Sequence, residues 1–269
     1  IANCLVGSEM CIRDSYASVS KLNPKLIYCS ITGFGQTGPY AERLGYDFII
    51  QALSGIMDLT GEPNNEPQKM GVAFADIFTG LYGVIAIQSA LAMREKNNKG
   101  QHIDLSLMDS MVAVLANQAS NYFVSGSPPK RMGNKHPNIV PYQVFPTKDG
   151  YLIIAVGNND QFERLCKALE LNDLHISSKY SDNQKRVQNR EELVDIISSQ
   201  TKKYSKNDLK ILLELSKVPV GTVNNLEEVF SDPHVIARNL KINMKHKNAK
   251  TSYTESVRTP IIFSDTKLN

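Results

Sequence analysis

The sequence predicts an α/β fold, a larger strand–helix–strand domain followed by a smaller α+β domain. Three observations carry this. Leu26 to Thr32 is a short apolar run closed by Gly33-Phe34-Gly35, which reads as a strand ending in a glycine turn. From Phe74 onward the apolar residues Phe74, Ile77, Phe78, Leu81, Ile85 and Leu91 recur at helical spacing. Ile103, Leu105 and Leu107 then alternate with polar residues, so 101–107 returns as a second strand.

In chain order, Ser18 to Leu22 suits a helix end and Asn23-Pro24 a turn before the first strand. A polar loop from Tyr40 leads into a helix that ends near Gly55, and a Pro/Asn/Glu-rich loop, 57–70, leads to the long helix. That helix is expected to be largely buried, with close backbone packing offsetting the cost of Gly80 and Gly83. Asn97-Asn98-Lys99-Gly100 stops it. Asp104 reads as a strand surface residue, and Asp109 as the cap of a helix reaching about Tyr122. Ser125 to Pro129 is a linker signal. Beyond it, Tyr142–Phe145 and Tyr151–Val156 flank PTKDG as a hairpin. Helices are expected at 161–170, 191–203 and 207–216, a strand at 218–223, and short helices at 226–230 and 234–239. Late strands at 241–245 and 257–263 are expected to return to the first domain. The domain plan is therefore 1–15 leader, 16–124 large domain, 125–139 linker and loop, 140–239 small domain and 240–269 return segment.

The totals exclude several classes. The chain has 269 residues, 42% hydrophobic, and a formal net charge of +3. That charge is too small and too dispersed to argue for nucleic acid. No apolar stretch reads as the ~20 residues of a membrane span. The four cysteines, Cys4, Cys11, Cys29 and Cys166, lack metal-ligand spacing and are too few for a disulfide scaffold, which points to a reducing compartment. The opening string is unlike the rest: VGSEMCIRDS resembles a translated sequencing adapter, so residues 1–15 are read as non-native.

The chemistry centres on GVAFADIFTGLYG, 71–83. Asp76 falls in the first turn of the long helix, where unpaired N–H groups and the helix dipole favour an anion. On local sequence it is either a helix cap or an ionised carboxylate able to act as a nucleophile. Gly33, Gly35 and Gly38 form either an ordinary turn or a loop that a ligand can approach closely, at the strand end where α/β sheets bind ligands. Arg43 can pair with a phosphate or carboxylate, or be a surface cation. His136 is a loop histidine, either surface or catalytic, with a pKa suited to both. Arg131 and Lys135 could neutralise a carboxylate. His175, His234 and His246 do not cluster and receive no role.

The ordered motifs SITGFGQTGPY (30–40), GYDFIIQALSG (45–55), ADIFTGLYG (75–83), KGQHIDLSLMDS (99–110) and IVPYQVFPTKDGYLIIAVGNN (139–159) resemble the CaiB/BaiF-type family III CoA-transferases. The resemblance runs from about Tyr16 to the C-terminus. It implies a partial Rossmann-like large domain, with the upstream half of that domain missing, about 100 residues on general domain sizes. It implies an interlocked homodimer, and an acyl-CoA plus a small carboxylic acid as substrates. Coenzyme A thioester is then a substrate, with no permanently bound cofactor and no metal. Asp76 is the implied nucleophile. Arg43, Leu44, Gly45, Tyr46, Asp47, Gly33, Gly35 and Gln36 are the implied CoA-binding positions. Gly133, Lys135, His136 and Asn138 lie in the implied substrate loop, which closes over the site in relatives, although only one glycine is present here. The C-terminal block most resembles members that act on succinate, hydroxymethylglutarate and glutarate.

The related α-methylacyl-CoA racemases carry a histidine at the position of Tyr46. Tyrosine, with a pKa near 10, is a poor base at neutral pH, so Tyr46 counts against that alternative. A second alternative is an inactive CoA-binding or scaffold fragment. The implied location is cytoplasmic, or the mitochondrial matrix in a eukaryote.

Overall fold

A computed structural model describes residues 15–248, 250 and 252–266. The leader reading for 1–15 therefore lies outside the described residues except at Ser15. The chain divides into two compact units that meet between Lys135 and His136, inside the 125–139 segment.

The first unit opens with helix α1 (Tyr16–Leu22) and strand β1 (Ile27–Thr32). Helices α2 (Asp47–Leu53) and α3 (Ile56–Leu59) follow, then the long helix α4 (Phe74–Asn97). Asn98 takes a left-handed φ of 61° and ends α4, as the Asn-Asn-Lys-Gly signal predicts. Strand β2 (Gln101–Ser106) pairs with β1 in parallel, Ile27 opposite Gln101 and Thr32 opposite Ser106. This is one strand–crossover–strand unit, the minimal α/β layer. Helices α5 (Leu107–Ala113) and α6 (Ala116–Ser125) complete the unit. Ile50, Ala75, Leu107 and Met111 form its buried apolar centre, with Phe34 packed against them.

Three expectations change here. Ser106, not Asp109, caps α5: its Oγ accepts the Asp109 N–H at 2.9 Å, and Asp109 occupies the third helical position. The single predicted helix to Tyr122 is also broken into α5 and α6, with Ala116 at a positive φ of 46°. Finally, α4 is not largely buried. Ala75, Thr79, Gly83 and Ala90 are covered, but Ile77, Leu81, Val84 and Ile85 are exposed. A two-stranded sheet is too narrow to cover more than one stripe of a 24-residue helix. Gly83 does pack closely, against Leu105 and Ile31, whereas nothing lies within 4 Å of a side chain built at Gly80.

By length and composition α4 could also cross a membrane (mean hydropathy 1.4), which corrects the expectation that no stretch qualifies. Its contacts with β1, β2, α2 and α5 are those of a layer helix.

The second unit contains the predicted hairpin, β3 (Tyr142–Thr147) antiparallel to β4 (Gly150–Ala155), extended by β5 (Val220–Thr222). Around it lie α7 (Asn159–Ala168), α8 (Asn172–Ile176), α9 (Asn183–Gln188), α10 (Arg190–Thr201) and α11 (Lys206–Leu215). Phe145, Leu152, Ile154, Leu165, Leu193 and Leu209 make a well-buried core. Helices α8 and α9 were not anticipated. The Asp182 side chain accepts the Lys185 N–H and caps α9. Short helices α12 (Leu226–Ser231) and α13 (Pro233–Ala237) precede β6 (Lys241–Lys245) and β7 (Tyr253–Val257). The predicted strand at 257–263 is displaced to β7, which among the described residues pairs with β6 alone, and both group with the second unit rather than returning to the first.

Candidate active site

Asp76 sits at the third position of α4, in its first turn, exposed at the helix surface. It is not the cap. The capping position is Ala73, which has no side-chain bond to offer. The cap comes instead from Asp47, the first residue of α2, whose Oδ1 accepts the Ala75 N–H at 2.8 Å. Its other oxygen, Oδ2, accepts from Gln51 Nε2 at 2.7 Å. Gln51 is fully buried, and its Oε1 accepts the Met70 N–H at 2.9 Å, tying down the loop that enters α4. A chain of side chains thus fixes the start of the Asp76 helix.

Both oxygens of Asp47 are engaged within the protein. It serves here as a helix cap supplied from another element. The carboxyl of Asp76 makes no hydrogen bond among the described residues. Its pKa is raised above the ordinary carboxylate value by loss of solvent, and further by the charge of Asp47. The expectation that helix N–H groups hold Asp76 as a stabilised anion is corrected accordingly, because the Ala75 N–H already serves Asp47.

Gly33, Gly45 and Tyr46 belong to the same locality. The Gly33 and Gly45 backbones cross so closely that a Cβ on Gly33 would lie 2.5 Å from the Gly45 Cα. Tyr46 then caps α2 by backbone alone and is exposed, as is Leu44. The run Gly45-Tyr46-Asp47 therefore joins the glycine turn after β1 to the start of α4. Gly35 adopts a φ of 88°, and its N–H donates to Thr32 Oγ1 at 2.9 Å. The Gln36 N–H donates to both oxygens of Asp104, at 3.1 and 3.0 Å. Asp104, read as a plain surface residue, thus anchors the turn. The N–H groups of Gly35, Gln36 and Ala75 are thus all committed internally. Arg43 stacks on the Tyr40 ring at 3.8 Å, and that ring meets Phe34 edge-on at 5.5 Å.

The substrate-loop positions are divided between the units. In the first, Gly133 has a φ of 60° and its N–H donates to Gly61 O at 3.0 Å, while the Lys135 N–H donates to Met132 O at 3.1 Å. Arg131 is paired with Asp58, its Nη1 lying 2.8 Å from Asp58 Oδ1. In the second unit, His136 Nδ1 accepts the Asn138 N–H at 3.1 Å. Burial lowers the His136 pKa, and the charge of Arg190 lowers it further. The 137–140 stretch is held from three sides: Arg190 Nη2 to Pro137 O at 2.9 Å, Asn183 Nδ2 to Asn138 O at 2.7 Å, and Arg186 Nε to Val140 O at 2.9 Å. These bonds pin it to its unit. Among the described residues no group of three or more His, Cys, Asp or Glu side chains is gathered to hold a metal ion.

This arrangement defines a class: an α/β protein with a glycine turn at the carboxyl end of a parallel strand and a carboxylate at the start of the crossover helix. The chain matches the CoA-transferase family III profile over residues 3–269, a span that enters the stretch read as leader. It is 53% identical over 253 residues to a succinate–glutarate CoA-transferase of Agrobacterium fabrum, covering 94% of this chain and 63% of that protein. It is 42% identical to a human succinyl-CoA:glutarate CoA-transferase, covering 91% of this chain and 56% of the other. The crystal structure of a CAIB/BAIF family protein from Brucella suis matches with a TM-score of 0.78 and 54% identity, over 95% of this chain and 66% of that one. The chain belongs to CoA-transferase family III. It spans less than two thirds of the length of these relatives.

Proposed function

We propose that the protein carrying this chain transfers coenzyme A from an acyl-CoA to a free carboxylic acid, with Asp76 as the nucleophile. The observation that carries this reading is the position of Asp76: an accessible carboxylate in the first turn of α4, unpaired among the described residues and raised in pKa. A more basic carboxylate is a better nucleophile.

The steps balance without an external oxidant or reductant. An Asp76 oxygen attacks the thioester carbonyl; the C–S bond breaks, leaving a mixed anhydride and CoA thiolate. The thiolate attacks the Asp76 acyl carbon and expels the donor acid as its carboxylate, leaving an aspartyl-CoA thioester. The acceptor carboxylate attacks that thioester and re-forms an anhydride with release of thiolate. The thiolate then takes the acceptor acyl group, and Asp76 is regenerated.

The acids we propose are dicarboxylates, succinyl-CoA as donor and a C5 diacid such as glutarate as acceptor. The names of the A. fabrum and human relatives support this choice. A homodimer is part of the same reading, supported by the exposed apolar face of α4. The proposed setting is the cytoplasm, or the mitochondrial matrix in a eukaryote.

The test is to incubate the full-length protein with succinyl-CoA and a panel of acids, and to follow new acyl-CoAs by mass spectrometry beside an Asp76→Ala variant. New thioesters made only by the parent support the reading, and the preferred acid names the acceptor. Equal activity in Asp76→Ala would remove Asp76 from the mechanism. Loss of stereochemistry in a chiral 2-methylacyl-CoA, with no transfer, would replace transfer by racemisation.

A further inference from the structure

We propose that Asp47 is a positioning residue for Asp76, fixing the first turn of α4 from outside the helix and setting a second negative charge beside the nucleophile. The inference rests on the reading of Asp76 given above. Its geometric basis is the bond from Ala75 N to Asp47 Oδ1 at 2.8 Å, together with the brace from Gln51 Nε2 to Asp47 Oδ2 at 2.7 Å. Ala75 immediately precedes Asp76 and is fully buried, so the bond fixes the backbone on which the nucleophile stands. Gln51 is fully buried as well, and it cannot release Asp47 without leaving polar atoms unpaired.

The arrangement has two consequences for the reaction. The Ala75 N–H is withheld from Asp76, so the attacking carboxylate is not over-stabilised by the helix terminus. The neighbouring charge of Asp47 also opposes the charge of Asp76, and this repulsion disappears once Asp76 is acylated and neutral. Asp47 thus favours the acylated enzyme over the free carboxylate. The elements packed against α4 carry several other titratable groups: Tyr28 and Cys29 on β1, His102 and Asp104 on β2, and Asp109 on α5. Tyr82, Arg94, Glu95 and Lys96 lie on α4 itself. Among the described residues the charge that acts on Asp76 is that of Asp47.

The experiment compares Asp47→Asn and Asp47→Ser in the full-length protein. Both are neutral: Asn keeps a side-chain oxygen at the same reach for the Ala75 N–H, so the charge is removed while an acceptor is retained, and the shorter Ser removes the charge together with that reach. Two readouts are taken: the pH profile of kcat for CoA transfer, and a carbon-13 NMR titration of the Asp76 carboxyl, which needs no turnover. The expected result is an acid limb and an Asp76 titration that both move to lower pH. A kcat lowered about tenfold or more, with KM for the acyl-CoA within about threefold, should accompany it. Unmoved titration in both variants would overturn the proposal. So would a raised KM with intact kcat, which would return Asp47 to direct substrate contact. If Asp76→Ala keeps full activity, the reading of Asp76 falls instead; the NMR titration still reports separately whether Asp47 governs that carboxyl.

Discussion

Gly33 and Gly45 cross with no room for a side chain between them: a Cβ on Gly33 would lie 2.5 Å from the Gly45 Cα, and one on Gly45 would lie 2.6 Å from the Gly33 Cα. The obstruction is backbone on both sides, so no rotamer change relieves it. This crossing holds the glycine turn after β1 against the residues that lead to Asp47. Gly45→Ala is expected to cost about 1–3 kcal/mol, as overpacking does, and to lower Tm. Differential scanning calorimetry of the purified protein checks it. An unchanged Tm would mean that the two segments separate without cost.

Gly80 should behave in the opposite way. It lies within α4, and a methyl group added there would have nothing within 4 Å, so the ordinary helix preference should dominate. Gly80→Ala is expected to stabilise by up to about 1 kcal/mol, again read as Tm. A fall would show that another surface covers this face of α4 in the assembled protein.

The elements that follow local rules were legible in the sequence. The 3.6-residue period placed Asp76 in the first turn of α4, and strand alternation found β2 within a residue of its end. The hairpin around 146–150 was equally plain. The misses have physical causes. Asp47 caps a helix that begins 27 residues later in the chain, and no local pattern announces a cap supplied from another element. Ser106 and Asp109 form a Ser-x-x-Asp pair in which the serine is the better reading of the cap, so that signal was present. Helices α8 and α9 are short and largely polar, which hides their period, although Asp182 marks the start of α9. The burial of α4 was overestimated because a long apolar run shows that a helix can be covered, not how much of it a given sheet covers.

Replacing Asp76 should not weaken the fold. The native pKa of Asp76 is raised above its ordinary value, first by loss of solvent and then by Asp47. The folded protein therefore binds the proton more readily than the unfolded chain does. The resulting penalty is absent well below the ordinary carboxylate range and grows as pH rises through and above it. Asp76→Asn is expected to have a Tm at pH 7 equal to or above the parent's, with the difference vanishing toward pH 3. Thermal melts across that range check the sign. A lower Tm at pH 7 would mean that the carboxylate makes a stabilising contact.

Cys166 should be inert. It is almost fully buried on α7, and burial pushes its thiol pKa up to about 12. The thiolate is the reactive form, so its population at pH 8 is negligible. In the native protein Cys166 is expected to resist a thiol-specific aromatic disulfide at pH 8 and to react once the chain is unfolded in guanidinium. Peptide mass mapping identifies the site, and rapid labelling of native Cys166 would show that the second unit opens locally.

His136 should make the second unit acid-sensitive. Its Nδ1 accepts the Asn138 N–H, which requires that nitrogen to be unprotonated, and burial with the nearby Arg190 charge lowers its pKa. Arg190 is itself nearly buried, held by Pro137 O, with its Nη1 lacking a hydrogen-bond partner among the described residues. With the folded pKa below the unfolded value, the neutral ring costs nothing above the ordinary histidine pKa. As pH falls below that value the unfolded chain takes up the proton first, and stability declines until the folded pKa is passed. His136→Gln is expected to flatten the part of the stability–pH curve that lies below the ordinary histidine pKa of about 6.5. Arg190→Gln should move the imidazole titration, followed by NMR of its ring protons, to higher pH. If Arg190→Gln leaves that titration in place, burial alone accounts for the neutral ring, and the guanidinium serves only to hold the Pro137 carbonyl.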